Sequence, residues 1–335
     1  MGYRAEKMRV EKKLKLLKRI LLGILLLIIL ALCIFSVIIP PSSWKYYVGL
    51  PQVTVAQEGE LRVHFLDVGQ GDCTLVELPD GKVMLIDGGD GSGTSNKNLL
   101  RHLNALKIDV IDYLIVTHTD ADHCGGLREL LRYKKVLNAY LPPLSPEKGY
   151  TYAEFYAALV KTETRRFYAS RSVSLVGGAK TPYKIEFLSP LPADVSDIIS
   201  GELEVDDEHK YTSVVWLDYM DVSVLFTGDI PMSLEEELML DDRLGLFEDK
   251  GVRLSETEIL KVSHHGSASS TGAELIEYLG VQDAIISCGK DNAYGHPSAD
   301  TLARLDNAGV TTYRTDLSGD ILLTIGADGN YCIEK

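Results

Sequence analysis

The sequence predicts an α/β fold carried behind a single membrane-spanning helix. Three observations predict it. A run of uncharged residues lies near the N-terminus, apolar stretches of strand length alternate with stretches of helical spacing, and histidines and aspartates recur directly after the apolar stretches. The 335 residues suffice for one large domain, or two small ones, with a sizeable core.

Residues 20–39 carry no charge. At about 1.5 Å of rise per residue such a run reaches about 30 Å, the thickness of a bilayer's hydrocarbon layer. Pro40 and Pro41 stop it, and Trp44, Tyr46 and Tyr47 stand where interfacial aromatics would. Residues 1–19 hold Arg4, Lys7, Arg9, Lys12, Lys13, Lys15, Lys18 and Arg19 against Glu6 and Glu11, a net of +6. This basic segment is expected to stay in the cytoplasm, so that everything after residue 40 faces outward. No small-x-small cleavage site follows the run, and Leu32 before Cys33 makes a poor lipobox, so an uncleaved anchor is expected. Residues 40–59 are expected to form a linker and residues 60–335 the folded body. With −14 for the whole chain, the part after residue 19 carries −20. An acidic body repels polyanions, so a nucleic acid would have to be held locally, by metal and a few cationic groups. Cys33 falls in the span, and Cys73, Cys124, Cys288 and Cys332 have no regular spacing, so no disulfide is demanded. Cys124 is expected to be a small apolar filler.

In the body, residues 61–67 alternate like a strand, break at 68–72 and resume at 73–78. Pro79-Asp80-Gly81 turns the chain into a third strand at 82–87, giving a hairpin meander. The glycine-rich residues 88–93 lack the Walker Lys-Ser/Thr and the GxGxxG spacing, and read as turn chemistry. Ser95 is the expected N-cap of a helix to about Lys107, with Leu99, Leu100, Leu103 and Leu106 on one face. His64 and His102 are expected to be structural or exposed. A strand at 111–116, a helix from Gly125 through Arg132, a strand at 135–141, a helix at 151–162 and strands at 173–176 and 184–188 follow. Residues 194–210 are polar and acidic and are expected to form an exposed loop. A hairpin pairs 213–219 with 222–226 through Met220-Asp221, and Glu235, Glu236 and Glu237 read as a solvated helix face. Strands at 258–263 and 284–287 and a helix from Ser298 are the later elements.

The chemistry sits at strand ends. In residues 117–126, THTDADHCGG, the side chains of His118, Asp120, Asp122 and His123 fall directly after an apolar strand and before two glycines. Strand alternation would scatter them, so they converge only if the backbone leaves the sheet and curls around something. A pair of metal ions is the natural centre, and two imidazoles with two carboxylates suit zinc, manganese or iron. Asp229 ends a buried strand as a carboxylate that is costly to leave unpaired, and bridging two ions would meet its need for a cation. His264 and His265 end another strand; one should face the ions, expected to be His264, and the other should serve substrate or packing. His296 stands in a tight turn before the helix at Ser298.

Together, DVGQGD at 67–72, IDGG at 86–89, THTDADHCGG at 117–126, TGD at 227–229, KVSHHGS at 261–267 and GHPS at 295–298 resemble the metallo-β-lactamase-fold domain of the ComEC/Rec2 competence proteins. The resemblance covers roughly residues 60–335 and implies an αββα four-layer sandwich with a dinuclear site, preceded here by one transmembrane helix. It implies that His118 and Asp120 bind one ion, that Asp122 and His123 bind the second, that Asp229 bridges them and that His264 completes the second. Asp87 would buttress the loop. Many members of the wider superfamily put His where Asp120 stands, though the competence branch also uses Asp; the harder ligand set leans toward Mn²⁺ without excluding Zn²⁺. His209 occupies about the place of the superfamily's further histidine, before the hairpin ending in TGD, and is a candidate ligand. The multi-span portion of the competence channel is not in this sequence, so the chain is not expected to form a DNA pore.

These readings imply a membrane-anchored, extracytoplasmic hydrolase with two divalent ions, acting as a nuclease or phosphodiesterase on DNA or related phosphodiesters. Asp122 and Asp229 would orient the attacking water; Lys261, His265, Ser267 and His296 would hold phosphate or protonate the leaving group. A hydrolase of a non-nucleic ester, lactone, thioester or β-lactam and a non-catalytic surface binding module are the alternatives. No protein partner is deducible.

Overall fold

The structure is a computed structural model that describes residues 2–178, 180 and 182–335. The chain divides into two compact units, Met1–Gly49 and Leu50–Lys335.

In the first unit, helix α1 runs over Gly2–Ile38. The basic segment and the apolar run are therefore one continuous helix, because Lys, Arg, Glu and Leu all favour it and no proline intervenes before Pro40. Among the described residues it is the one helix long and apolar enough to cross a membrane, with a mean hydropathy of 3.3 and none of that window buried. It is therefore not the core helix of a soluble domain. A 3₁₀ turn, Pro41–Tyr46, follows, and the Trp44 indole N–H donates to the Ile39 carbonyl.

The second unit holds two sheets. The first contains β1 (Leu61–Phe65), β2 (Thr74–Glu77), β3 (Val83–Ile86), β4 (Val110–Ile115), β5 (Lys135–Leu141) and β6 (Arg165–Tyr168) in sequence order. The second contains β7 (Ser174–Gly177), β8 (Tyr183–Ser189), β9 (Val214–Tyr219), β10 (Val222–Phe226), β11 (Ile259–Lys261), β12 (Asp283–Ile286) and β13 (Thr311–Arg314). The C-terminal β14 (Ile321–Ile325) and β15 (Tyr331–Glu334) return to the first sheet, where β14 pairs antiparallel with β1. Alternate residues of both sheets meet in one core: Val63, Phe65, Met84, Ile86 and Ile115 from the first face Ile185, Leu217, Val224, Phe226 and Ile259 from the second. That period of two is what the alternating sequence stretches encode. Both β3–β4–β5 and β10–β11–β12–β13 are parallel, so their C-terminal ends collect on one rim.

Helices flank the sheets: α2 (Gly93–Ala105), α3 (Ala121–Cys124), α4 (Leu127–Tyr133) and α5 (Tyr150–Leu159) belong to the first half, and α6 (Pro192–Ser200), α7 (Met232–Arg243), α8 (Ala273–Leu279), α9 (Ala299–Asn307) and α10 (Thr315–Ser318) to the second. Leu238 of α7, Ile276 of α8 and Leu305 of α9 pack on Trp216, Leu225, Leu260 and Ile286, the outer face of the second sheet. The four-layer αββα arrangement thus follows.

Several expectations change. Helix α2 starts at Gly93, capped by the Ser92 hydroxyl accepting from the Ser95 N–H, so Ser95 is inside the helix rather than its cap. Residues 194–210 are not a loop throughout: α6 occupies Pro192–Ser200, with proline at its start and left-handed Gly201 ending it, and a 3₁₀ turn covers Glu208–Tyr211. Glu235 is 1 % exposed, its carboxylate accepting from the Thr271 and Gly272 N–H groups ahead of α8. It is a buried capping group, not part of a solvated face. His64 and His102 are both buried and are hydrogen bonded to each other at 3.0 Å. Strand β6 and the C-terminal strands β13, β14 and β15 have no counterpart among the sequence expectations.

Candidate metal centre

Strand β4 ends at Ile115, and the chain turns through Thr117–His118–Thr119 into the short α3, with Asp120 at its N-cap. The Asp120 carboxylate caps no helix N–H. It turns to imidazoles instead, its Oδ2 lying 3.7 Å from His118 Nε2 and 3.2 Å from His209 Nε2. The loop is held by its backbone: Gly88 N–H donates to the His123 carbonyl at 2.7 Å and Asp72 N–H to the Asp122 carbonyl at 3.1 Å. This close approach requires glycine, because a Cβ at Gly71 would collide with the Asp122 carbonyl oxygen and one at Gly126 with that of Gly88. The glycine-rich residues 88–93 therefore serve the motif loop by lying against it.

The other half comes from the second sheet. Asp229, 2 % exposed, follows β10. Its Oδ1 is 3.3 Å from His123 Nε2, and its Oδ2 is 3.5 Å from His265 Nε2, 3.7 Å from His264 Nε2 and 3.8 Å from His118 Nε2. One carboxylate thus stands among four histidines. Asp122 Oδ2 lies 3.2 Å from His265 Nε2.

Two groups of potential ligands result: His118, Asp120 and His209, and the fully buried Asp72, His123, Asp229 and His265. Donors on a tetrahedral ion at 2.0–2.2 Å stand about 3.4 Å apart, and the pairs above lie within a few tenths of that value. His118 Nε2 and Asp229 Oδ1 are buried without a hydrogen-bond partner, as donor atoms left for an ion would be. The residues therefore fit a pair of divalent ions, with Asp229 between the two groups.

The histidines differ from the expectation in one respect. His265, expected to serve substrate or packing, joins the buried group, whereas His264 stands outward with 29 % side-chain exposure. Strand alternation does not govern this pair because β11 ends at Lys261, and His264 (φ 51°) and His265 (φ 54°) are both in the left-handed region of a 3₁₀ turn. Lys261 differs too. It is 2 % exposed, donates to the Val262 carbonyl and pairs with Asp72 Oδ2 at 2.8 Å, so its charge is committed to the interior rather than to phosphate. His296 lies near the site, its ring centroid 5.6 Å from His264 and 6.3 Å from His265, and Ser267 bonds to Ser269. Cys124 Sγ contacts the Thr119 carbonyl, and burial pushes its thiol up to about 12, as suits a filler.

Asp72 was not among the expected site residues. Its only signal is its position as the last letter of DVGQGD, and nothing in the sequence shows what it faces. In the fold it backs His265: Oδ1 lies 3.3 Å from Nδ1, which also meets the Ser287 carbonyl at 3.0 Å. Asp87 does the same for His123, with Oδ2 2.7 Å from Nδ1, while its other oxygen accepts the Thr117 N–H. The Asp87 carboxylate on His123 and the Ser287 carbonyl on His265, with Asp72 beside it, fix the tautomers and turn each Nε2 toward the centre. Because Lys261 already neutralises Asp72, we read Asp72 as support rather than as a ligand.

The electrostatics describe a site short of positive charge. Burial opposes protonation of His265, yet Asp229 and Asp72 raise its pKa to about 10; burial likewise opposes protonation of His123, which Asp229 and Asp87 hold well above the usual value. Asp120 is held far below the carboxylate range by the neighbouring imidazoles of His118 and His209. Asp229 is held low as well, its burial outweighed by His123 and His265. The carboxylates therefore draw protons onto imidazoles, and cations would displace those protons. His264 and His296 are lowered, chiefly by burial, and stay neutral.

A family model described as the metallo-beta-lactamase superfamily matches residues 66–290. The chain is similar to ComE operon protein 3 of Bacillus subtilis, 31 % identical over 284 residues, a match that covers 80 % of this chain and 33 % of that protein. It is similar also to competence protein ComA of Neisseria gonorrhoeae, at 27 % identity with 81 % and 33 % covered, and to recombination protein 2 of Haemophilus influenzae, at 28 % with 80 % and 29 % covered. The chain thus spans about one third of the length of these relatives. With both sheets, the rim and the motif loop accounted for, the chain belongs to the metallo-beta-lactamase superfamily.

Proposed function

We propose that this protein is a membrane-anchored, extracytoplasmic hydrolase that cleaves phosphodiester bonds, DNA being the substrate, with two divalent ions. The observation that carries the reading is Asp229 standing between two groups of donors, within 3.8 Å of His118 and 3.3 Å of His123. Paired ions sharing a carboxylate suit phosphoryl chemistry, because a phosphodiester develops charge on both the attacking and leaving oxygens. The competence and recombination named in the relatives support DNA as substrate, and the net +6 of residues 1–19, ahead of the apolar run, supports a cytoplasmic N-terminus.

His118, Asp120 and His209 would hold one ion; Asp122, His123 and His265 would hold the other, and Asp229 both. Bound there, the ions would supply Lewis acidity toward a phosphoryl oxygen and bring the pKa of water toward neutrality. Asp122, at the open side with its side chain 30 % exposed, orients the attacking water by accepting its hydrogen. His264 and His296, neutral and partly exposed, offer N–H groups to the phosphate oxygens. The full chain in detergent, stripped by chelator and reloaded with Mn²⁺ or Zn²⁺, tests the reading on single-stranded DNA, a bis-ester phosphate and a chromogenic β-lactam. Metal-dependent cleavage of the first two is expected. Turnover of the β-lactam alone, or equal activity of the stripped protein, would overturn it.

A further inference from the structure

The metal centre accounts for the histidines on the rim, but not for the exposed tyrosine beside them. Tyr294 follows β12, is 72 % exposed, and stacks on His296 with ring centroids 5.9 Å and planes 24° apart. His296 in turn adjoins His264 and His265. The tyrosine therefore lies against an imidazole that borders the site, and the rest of the ring meets solvent. Its loop is pinned by a single side chain. Asn292 Oδ1 accepts the N–H groups of Tyr294 and His296, while its Nδ2 donates to the carbonyls of Gly289 and His296. An exposed aromatic ring on a pinned backbone, lying against an imidazole, suits a stacking platform, because the backbone has little freedom left to lose on binding. Charge argues the same way. The part of the chain after residue 19 carries −20, so a polyanion gains little from the general field, whereas the face of a nucleobase is uncharged and stacks without that penalty. Lys290, exposed on the same loop, adds a positive charge there.

We propose that Tyr294 is the platform on which a nucleobase adjoining the scissile phosphodiester stacks, so that the preferred substrate is a single strand whose bases are unpaired. This rests on the phosphodiesterase reading above and names the substrate class of that same site. Paired bases in a duplex keep their faces covered by their neighbours and cannot use the ring without unstacking.

The test compares an oligothymidylate with an abasic oligomer of equal phosphate count, using the full chain in detergent with Mn²⁺. Wild type is expected to show a lower KM for the oligothymidylate than for the abasic strand. Tyr294→Ala should raise KM on the oligothymidylate by roughly tenfold, as loss of one stacked base does, with kcat changed far less. Tyr294→Trp should restore the low KM, which a merely structural loss would not allow, and the abasic oligomer should show no comparable rise in Tyr294→Ala. Equal KM values for the two strands in wild type, or an equal rise on both in Tyr294→Ala, would overturn the platform while leaving the phosphodiesterase reading intact. If wild type cleaves neither strand, that reading falls and takes the platform with it.

Discussion

Among the described residues of the second unit, two clusters of imidazoles and carboxylates stand out, and one of them is arranged for an ion. At His64 the groups form a line: Glu77 Oε1 meets His64 Nε2 at 2.8 Å, His64 Nδ1 meets His102 Nε2 at 3.0 Å, and His102 Nδ1 lies 3.4 Å from Asp320. Arg62, itself tied to Thr54, lies 3.3 Å from the same Glu77 oxygen. At the rim the groups converge, with four residues crowding Asp229 and with His118 Nε2 and Asp229 Oδ1 unpartnered. The same residue types therefore do different work. Along the line the His64 nitrogens and His102 Nε2 are hydrogen bonded and His102 Nδ1 alone is not, which adds stability; a convergent set leaves lone pairs facing one another and is quiet only when a cation sits among them.

The largest effect that can break this comparison comes from exchanging the clusters' roles. Asp229→Asn is expected to strip the protein of most bound metal and to lower hydrolysis by on the order of 10³-fold. His64→Leu should leave metal content unchanged and lower Tm, since it leaves Glu77 and His102 short of partners at a cost of about 1–3 kcal/mol. Elemental analysis and thermal melts of the two variants decide the matter. Metal loss in His64→Leu without unfolding would erase the distinction.

A smaller effect separates support from ligation within the rim. If Asp72 only backs His265, Asp72→Asn should weaken metal binding by about 10–100-fold rather than abolish it. It should also leave Lys261 charged and unpaired at 2 % exposure, destabilising the fold by about 3–5 kcal/mol. Asp72→Asn combined with Lys261→Met should recover most of that stability but not the metal affinity. A double variant as unstable as the single one would show that the pair is not the source of the loss.

How far these sites were legible depended on how locally they are encoded. His118, Asp120, Asp122 and His123 could be read because six residues of chain hold them, and no long-range fact is needed to see that they crowd. His209 was a candidate only through the resemblance, by its place before the β9–β10 hairpin, and it stands 3.2 Å from Asp120. The order of His264 and His265 could not, because a period-of-two argument applies only while the chain is a strand, and here both residues have positive φ. Asp87 buttresses the loop as the resemblance implied, but Asp72 reaches the site through a backbone contact between loops far apart in sequence, and Glu235 is buried by a partner 36 residues away. In the fold at large, the alternating strand β1 and the apolar strands β5, β9 and β10 were legible. Helix α6 was hidden by its polar residues, and β6 by having all four of its residues exposed, since pattern reading needs a buried face.

The smallest expected effect concerns carboxylates that have neither imidazoles nor an ion. On the outer face of the second sheet, Asp218 of β9 lines an open cleft with Asp221, Glu256 and Glu258. Burial, with Asp221 and Glu258 adding to it and Lys184 only partly opposing, pushes Asp218 up to about 6. Here the strain of gathered negative charge is relieved by taking up a proton. Because the folded pKa lies above the unfolded value, folding favours the protonated form. The group causes no loss of stability below about pH 4, and its cost grows as pH rises from there to about 6 and is complete above it. Asp218→Asn should therefore raise stability at pH 7.5, by no more than about 1–2 kcal/mol once solvent screening at this half-buried site is allowed for. The gain should vanish near pH 4. A gain that is the same at both pH values would mean that Asn improves packing and that Asp218 does not titrate as its surroundings dictate; a loss at pH 7.5 would mean that its charge is matched by a cation after all, which would make this cleft resemble the rim.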